Sequence, residues 1–391
     1  MVSNRKLPSG DQSVLRRLNA GAVLACVRRE GPSTLTEISR GTRLSRPTVE
    51  AAVGELVGQE WLEELEAAPP PSELGRPARR YRFRAEAGFI LGLYIDKDKV
   101  WGRLADLDGR IVASRHSSVD PELPPRERLS AARGVAQRCL AGASVPREAV
   151  RAVGVGIPGI IDGSGRVLIS NPLPGLAGLD LCREVGQWFS SPVLVENDAV
   201  LAAVAERWHG AAVDVDQIVY MLIGQRFGAS LLLDGRPLRG HRGAAGEIAF
   251  HDFMETKKVL KRLRGFVPQQ VDAITPKNSV PAADSSYDGT RAALTAARTG
   301  DAEAAEIIEA FLQRLARTIA AMVLTVDPEL VVIGGALSKV GGAFLPRLEE
   351  LLGELCVFLP RLALSTMGDE SVVLGAVRLA LDRVEQELLA L

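Results

Sequence analysis

One order of elements occurs twice in this chain of 391 residues, and it constrains the fold more than any other feature. Residues 89–95 (FILGLYI) read as a buried strand, followed by Asp96-Lys97-Asp98-Lys99 and a second strand over 100–105. Asp108-Gly109 is a hairpin turn into a third strand, 110–114; a helix (125–141) and a further strand (150–157) come next. The same order returns downstream. Residues 217–223 form a strand, Gly224-Gln225-Arg226-Phe227-Gly228 a turn, 229–233 a strand, and Asp234-Gly235 another hairpin turn. Helices over about 290–300 and 301–325 then lead to a strand at 330–333. Such a repeat predicts a duplicated α/β body.

Between the two copies lies the stretch with the most chemistry. Pro192 opens a short strand, and Val193, Leu194 and Val195 give it a continuous apolar run, the pattern of a strand covered on both faces. It delivers Glu196, Asn197 and Asp198 in a row, ahead of an Ala-rich helix over 199–208. The carboxyl end of a buried strand is where α/β folds place ligands. An Asp there can take a proton from a hydroxyl, and an Asn beside it can donate and accept hydrogen bonds. The alternative is that Asn197 or Asp198 simply caps the helix.

The 84 residues ahead of the body have a different character. They carry 14 Lys and Arg against 10 Asp and Glu, a net +4, so the remainder is net −5 although the whole chain is −1. A helix is expected over 12–28, with apolar positions at Val14, Leu15, Leu18, Val23, Leu24 and Val27. Gly31-Pro32 breaks it, Ser33 starts a second helix with Glu37 supporting the cap, and Gly41 ends that helix. Ser45 caps a third, with Pro47 in its first turn. Two short helices joined by a tight turn form a helix-turn-helix, whose second helix enters the major groove of DNA with its first residues against base edges. Those residues are Ser45, Arg46, Thr48 and Glu50. A strand over 61–65, a Pro-rich tip (Pro69-Pro70-Pro71) and a basic return strand over 75–83 add a wing, whose Arg76, Arg79 and Arg80 can follow phosphates.

Aromatic residues make up only 5%, which argues against a stacking platform for single-stranded nucleic acid. Cys26, Cys139, Cys182 and Cys356 are scattered, with no CxxC pair, a usage that fits a reducing compartment rather than a disulfide framework or a zinc site. With no charged-then-apolar leader and no apolar run near 18 residues, the expectation is a cytoplasmic protein with no membrane partner.

The duplicated body is similar to that of sugar kinases, hsp70 and actin, and its motifs resemble one family specifically, the ROK family of repressors, open reading frames and kinases. The matching residues are Gly154-Val155-Gly156-Ile157-Pro158-Gly159, Asn171-Pro172-Leu173-Pro174-Gly175, Glu196-Asn197-Asp198-Ala199, Gly243-Ala244-Ala245-Gly246-Glu247 and Ile333-Gly334-Gly335-Ala336. The winged helix-turn-helix, with Gly75-Arg76-Pro77, resembles the repressor branch. The resemblance implies three units: a winged helix-turn-helix over 1–84, a first lobe over 85–200 with the C-terminal helix packed on it, and a second lobe over 201–391. It implies that Asp198 matches the base that deprotonates a sugar hydroxyl in kinase members, and that Asn171, Asn197 and Glu247 match sugar contacts.

The sequence also departs from the family. Kinase members hold ATP phosphates with small residues in two hairpin turns, because backbone N–H groups must approach the anion closely. Here the first turn, 96–99, lacks the expected glycine and adds Asp98, while the second, 224–228, carries Gln225, Arg226 and Phe227. The family's zinc segment is missing too. Phe250 stands where the metal-binding His is expected, His251 is one position off, and 252–279 contain no cysteine. Residues 255–264 read instead as a short basic helix.

These features predict a non-enzymatic regulator without metal or cofactor. Its partners are a double-stranded DNA operator, bound as a homodimer or homotetramer, and a sugar or sugar-phosphate effector. The alternatives are an ATP-dependent sugar kinase with an appended DNA-binding unit, and a regulator controlled by a protein partner.

Overall fold

The computed structural model describes residues 10–65, 78–223, 227–248, 255–266, 288–339 and 341–389. Arg76, the Pro-rich tip, the turn residues 224–226 and the Phe250-His251 pair lie outside the described residues.

The N-terminal unit consists of α1 (Gly10–Glu30), α2 (Leu35–Thr42) and α3 (Arg46–Gly58). They pack beside a small sheet of β1 (Ser33–Thr34), β2 (Leu62–Leu65) and β3 (Arg80–Phe83), in the order β1-β3-β2. Its caps explain where the helices begin. Ser33 does not start α2, because it pairs with Tyr81 in the sheet. Thr34 caps the helix instead, in a reciprocal box: its backbone N–H donates to Glu37 at 2.7 Å, and its hydroxyl accepts from the Glu37 N–H at 3.3 Å. Donation to the Glu37 carboxylate from the Thr34 N–H and from its hydroxyl (3.0 Å) holds that carboxyl below its ordinary pKa. Gly41 does not end α2 either. The helix runs to Thr42 and stops at Arg43 in the left-handed region (φ 59°). Gly41 is needed for packing, since a Cβ there would lie 2.7 Å from the Cys26 sulfur. Ser45 caps α3 as expected. Only the second half of the apolar stripe on α1 is inside: Val23, Leu24 and Val27 are buried, whereas Val14, Leu15 and Leu18 are exposed.

The body contains two five-stranded sheets of one topology. The first is built from β4 (Phe89–Ile95), β5 (Lys99–Asp106) and β6 (Ile111–Ser118), an antiparallel meander, with α4 (Pro125–Gly142) leading to β7 (Val150–Ile157) parallel to β4. The small hairpin β8 (Ile160–Ile161) and β9 (Val167–Ile169) and helix α5 (Leu181–Gly186) precede β10 (Val193–Asn197), parallel to β7. The sheet order is β10-β7-β4-β5-β6. Helix α6 (Asp198–His209) then crosses to the second lobe. There β11 (Ile218–Ile223), β12 (Phe227–Leu233) and β13 (Arg236–Pro237) form the meander, with α7 (Thr256–Arg264), α8 (Asp288–Arg298) and α9 (Ala302–Val326) ahead of β14 (Leu330–Gly334). Helix α10 (Leu345–Leu355) leads to β15 (Arg361–Leu364), and α11 (Ser371–Leu389) ends the described chain. The order β13-β12-β11-β14-β15 repeats that of the first sheet, strand for strand.

Alternation along β4 shows why its sequence is apolar throughout. Leu91, Leu93 and Ile95 pack with Ala132, Val135 and Cys139 of α4 on one face. Ile90 meets Val377 of α11 and Tyr94 meets Leu201 of α6 on the other. Helices α6 and α11 thus lie between the two sheets, where Tyr220 and Val332 of the second lobe join the same core. On its far side α11 continues into the core of the N-terminal unit: Ala380, Leu381, Val384 and Leu388 cluster with Val23, Val27 and Val53.

Two sequence expectations about strands need correction. β10 lies at the edge of its sheet, and Val193, Leu194 and Val195 are half-buried rather than covered on both faces. Phe227 and Gly228 are not turn residues. They begin β12, paired with Ile223 and Leu222, and the buried Phe227 ring joins the core of the second lobe.

Candidate functional site

Helix α6 begins where β10 stops, and its cap is the centre of the site. Asn197 ends the strand in extended conformation and caps the helix, its side-chain oxygen accepting from the N–H groups of Ala199 (2.8 Å) and Val200 (3.2 Å). The Asn197 amide nitrogen donates to the Gly159 carbonyl at 2.9 Å, joining the helix start to the β7–β8 turn. Capping and site formation are therefore one arrangement. Asp198, buried, is the first helical residue, and its carboxylate also accepts from the Ala199 N–H at 3.0 Å. Glu196, buried as well, accepts from the Asn197 N–H (2.9 Å) and pairs at 2.6 Å with Arg239, which comes from the second lobe. A buried carboxylate needs such a partner, since leaving it alone costs several kcal/mol, of order 3–5.

A cleft of about 490 Å³ opens over this junction. Asn171, Asn197, Asp198 and Glu247 all line it, so the four residues expected from sequence converge. The loop that carries Asn171 is anchored by buried Ser170, which donates to the Pro158 carbonyl (2.6 Å) and accepts from the Leu173 N–H (3.2 Å). Burial pushes the Glu247 carboxyl above its usual pKa, and the neighbouring Asp198 charge adds to this, while Lys257 works against it. Two carboxylates and two amides around one polar cleft offer the acceptors and donors that a ring of hydroxyls requires.

Sequence reasoning did not place the cations. Lys257, Lys261 and Arg264 of α7 line the same cleft. Their signal was available in the sequence as a basic stripe at helical spacing, but nothing local says that the stripe faces this cleft. The zinc set of the family is not matched by the residues of the segment, and among the described residues no group of three or more His, Cys, Asp or Glu could hold a metal ion.

The first hairpin turn is held rigidly. Arg128, fully buried, donates to the carbonyls of Asp96 and Lys97 at 2.7 Å each, and to those of Asp120 and Pro121 at 3.0 and 3.1 Å. The Asp96 carboxylate accepts from the Lys97 N–H (2.6 Å) and the Tyr94 hydroxyl (2.9 Å). Burial draws the Arg128 pKa down, and Asp96 and Asp120 oppose that shift.

In the N-terminal unit, Ser45 and Thr48 share a 2.7 Å bond at the start of α3, and Arg46 beside them is exposed. On the wing, Arg79 pairs with Glu64 at 3.1 Å. Arg80 donates to the Pro32 carbonyl at 2.6 Å and lies 3.5 Å from Glu37. Arg82 pairs with Glu63 and Glu86. The basic return strand is thus braced by carboxylates of its own unit.

Residues 18–66 match the IclR helix-turn-helix domain. Over 95% of the chain and 97% of the relative's length, the sequence is 23% identical to the xylose repressor of Caldicellulosiruptor bescii. The fold superposes on the crystal structure of a ROK family transcriptional regulator, a homolog of the E. coli MLC protein, with a TM-score of 0.72, covering 96% of this chain and 97% of that one at 21% identity. A ROK family glucokinase from Streptomyces griseus, in complex with glucose and AMPPNP, matches with a TM-score of 0.57 over 75% of this chain and 99% of that one at 23% identity. Residues 90–261 and 281–383 match the ROK family model, most of the body and more than half of the chain, and the chain belongs to the ROK family.

Proposed function

We propose that this chain is a sugar-responsive transcriptional regulator in which a helix-turn-helix reads an operator and the two-lobed body senses a sugar or sugar phosphate. The observation that carries the reading is one continuous core. The helix that begins at the cleft, α6, packs along α11, and α11 packs into the DNA-binding unit. Polar contacts follow the same course. The Ser365 hydroxyl, just after β15, donates to buried Glu206 near the far end of α6, and Arg28 of α1 pairs with Glu385 of α11 at 3.0 Å. Repressor relatives with both units support the same reading. An effector acts on the operator complex only through its different affinity for the two states of this core.

In this reading Asn171, Asn197, Asp198 and Glu247 hold the effector, and Ser45, Arg46 and Thr48 face base edges. Arg76, Arg79 and Arg80 contact phosphates, Arg79 and Arg80 after leaving Glu64 and Glu37. Two copies bind half-sites roughly 34 Å apart or a multiple of it. In this reading the body transfers no phosphate: the first turn carries Asp96, Lys97 and Asp98 in place of the expected glycine, and Arg128 fixes it by donating to the Asp96 and Lys97 carbonyls.

The test is selection of a duplex from a random pool by the full-length protein, followed by titration with and without sugars. A palindromic site whose affinity changes with one sugar is expected. Replacing Arg46 by Ala should cost about 1–3 kcal/mol at one base position, and each lost phosphate contact should flatten the log–log salt slope by about 0.9. Absence of any preferred duplex would sink the reading. ATP turnover with a hexose that disappears in Asp198→Asn would establish the kinase instead.

A further inference from the structure

Helix α7 occupies the sequence position where the family's zinc segment is expected, and its two faces differ. Thr256, Val259, Leu260 and Leu263 are buried against α9, with the Thr256 and Thr318 hydroxyls 3.0 Å apart. Lys257, Lys261 and Arg264, spaced i, i+4 and i+7, form the stripe that lines the cleft. Among the described lining residues these three cations stand with two carboxylates, Asp198 and Glu247. The start of α6 adds no anion site, because the N–H groups of Ala199 and Val200 are already taken by Asn197 and Asp198. Among the described residues, the cations that line the cleft are all on α7.

Cations lining a concave, partly apolar site lose hydration when a ligand closes it, and a neutral sugar replaces that loss poorly. A phosphate or carboxylate replaces it with short, charge-assisted bonds. Lys257 sits close enough to Glu247 to oppose its upward pKa shift, and Lys261 lies one helical turn on, roughly 6 Å along the axis. A sugar ring held by Asn171, Asn197, Asp198 and Glu247 would present its remaining substituent to this stripe. We infer that the effector is an anionic carbohydrate, a sugar bearing a phosphate ester or a carboxylate, with Lys257, Lys261 and Arg264 binding its anionic group. This rests on the reading that the cleft senses a carbohydrate.

The experiment is calorimetric titration of the full-length protein with xylose, and with glucose, galactose, mannose and N-acetylglucosamine, the hexoses being supplied in neutral, 6-phosphate and, where they exist, uronate forms. Inorganic phosphate is included as a further probe. The same titrations are run on Lys257→Gln/Lys261→Gln. An anionic form should bind at least about tenfold more tightly than its neutral parent. The double variant should remove that advantage. The anionic sugar's affinity alone should fall as sodium chloride is raised, a readout that does not depend on the variant. The phosphate and uronate arms identify which anion is recognised. Equal binding of neutral and anionic forms, an unchanged advantage in the double variant, or inorganic phosphate binding as well as the sugar phosphate would each overturn the inference. Binding of xylose or another neutral sugar alone would overturn it and leave the carbohydrate sensor standing. Silence across every sugar would overturn both.

Discussion

The two sheets of the body share one strand order, yet they pass the chain to the following helix in different ways. At the end of the first sheet, β10 runs straight into α6, and the polar residues of the junction, Asn197 and Asp198, line the cleft. At the end of the second, residues 365–370 intervene between β15 and α11, and two of their polar side chains bond to other elements of the body. Ser365 bonds buried Glu206 of α6, and Glu370 pairs at 2.8 Å with buried Arg103 of β5. One junction places hydrogen-bonding groups in the cleft, while the equivalent one is tied to α6 and β5. In the proposed reading, the duplicated scaffold separates sensing from transmission by directing the polar groups at the ends of its last strands to different places.

That contrast is most easily broken at the seat of α11. A Cβ on Gly375 would lie 1.9 Å from the Leu201 carbonyl of α6, and one on Gly154 the same distance from the Ala376 carbonyl. Backbone against backbone cannot yield by rotating a side chain. Gly375→Ala or Gly154→Ala should cost about 3 kcal/mol in urea denaturation; a shift within error would show that α11 is seated loosely and transmits little. Glu206→Ala comes next, because it leaves the Ala211 N–H, bonded at 2.8 Å, and the Ser365 hydroxyl without an acceptor. A loss of about 2–3 kcal/mol is expected, with effector binding retained and its effect on operator affinity lost. If the response survives, transmission does not run through this tie.

Asn197 separates the two roles of the sensing junction. Asn197→Ala should cost about 1 kcal/mol as a lost cap, whereas Asn197→Asp keeps the acceptor for Ala199 and Val200 but removes the donor to Gly159. Stability close to wild type with weakened effector binding in Asn197→Asp would sharpen the comparison; full binding would assign Asn197 to capping alone. The smallest effect is expected at Glu247. Its folded pKa is raised, so its contribution to stability is present below the unfolded value, near pH 4.3, and is lost as pH rises through the folded value. Glu247→Gln should therefore gain on wild type in thermal melts as pH is raised above about 4. A difference that is flat across that range would contradict the strained environment assigned to this carboxyl.

Much of this was legible because the signals are local. Ser45 as a cap, Asp234-Gly235 as a hairpin turn, with φ values of 51° and 69°, and the amphipathic α7 each depend on residues a few positions apart. The misreadings arise where a distant partner decides. Ser33 is claimed by Tyr81, Gly41 by Cys26, and Phe227 by pairing with Ile223. Val14, Leu15 and Leu18 have the spacing of a buried stripe but remain exposed, because spacing states which residues share a face and not what covers it.

The sequence by itself determined the repeated strand order, the helix-turn-helix, and the polar Glu196-Asn197-Asp198 run, while Asn171 and Glu247 came from the family resemblance. Only the tertiary structure decided that α11 returns across most of the chain to lie between the first sheet, α6 and the DNA-binding unit, and that α7 turns its cations toward Glu247. The reason is physical. Caps, turns and periodicities are fixed by hydrogen bonds and side-chain directions within one or two helical turns. The mating of two helices or of a helix with a cleft depends instead on close packing between surfaces far apart in the chain, for which a single sequence carries no local mark.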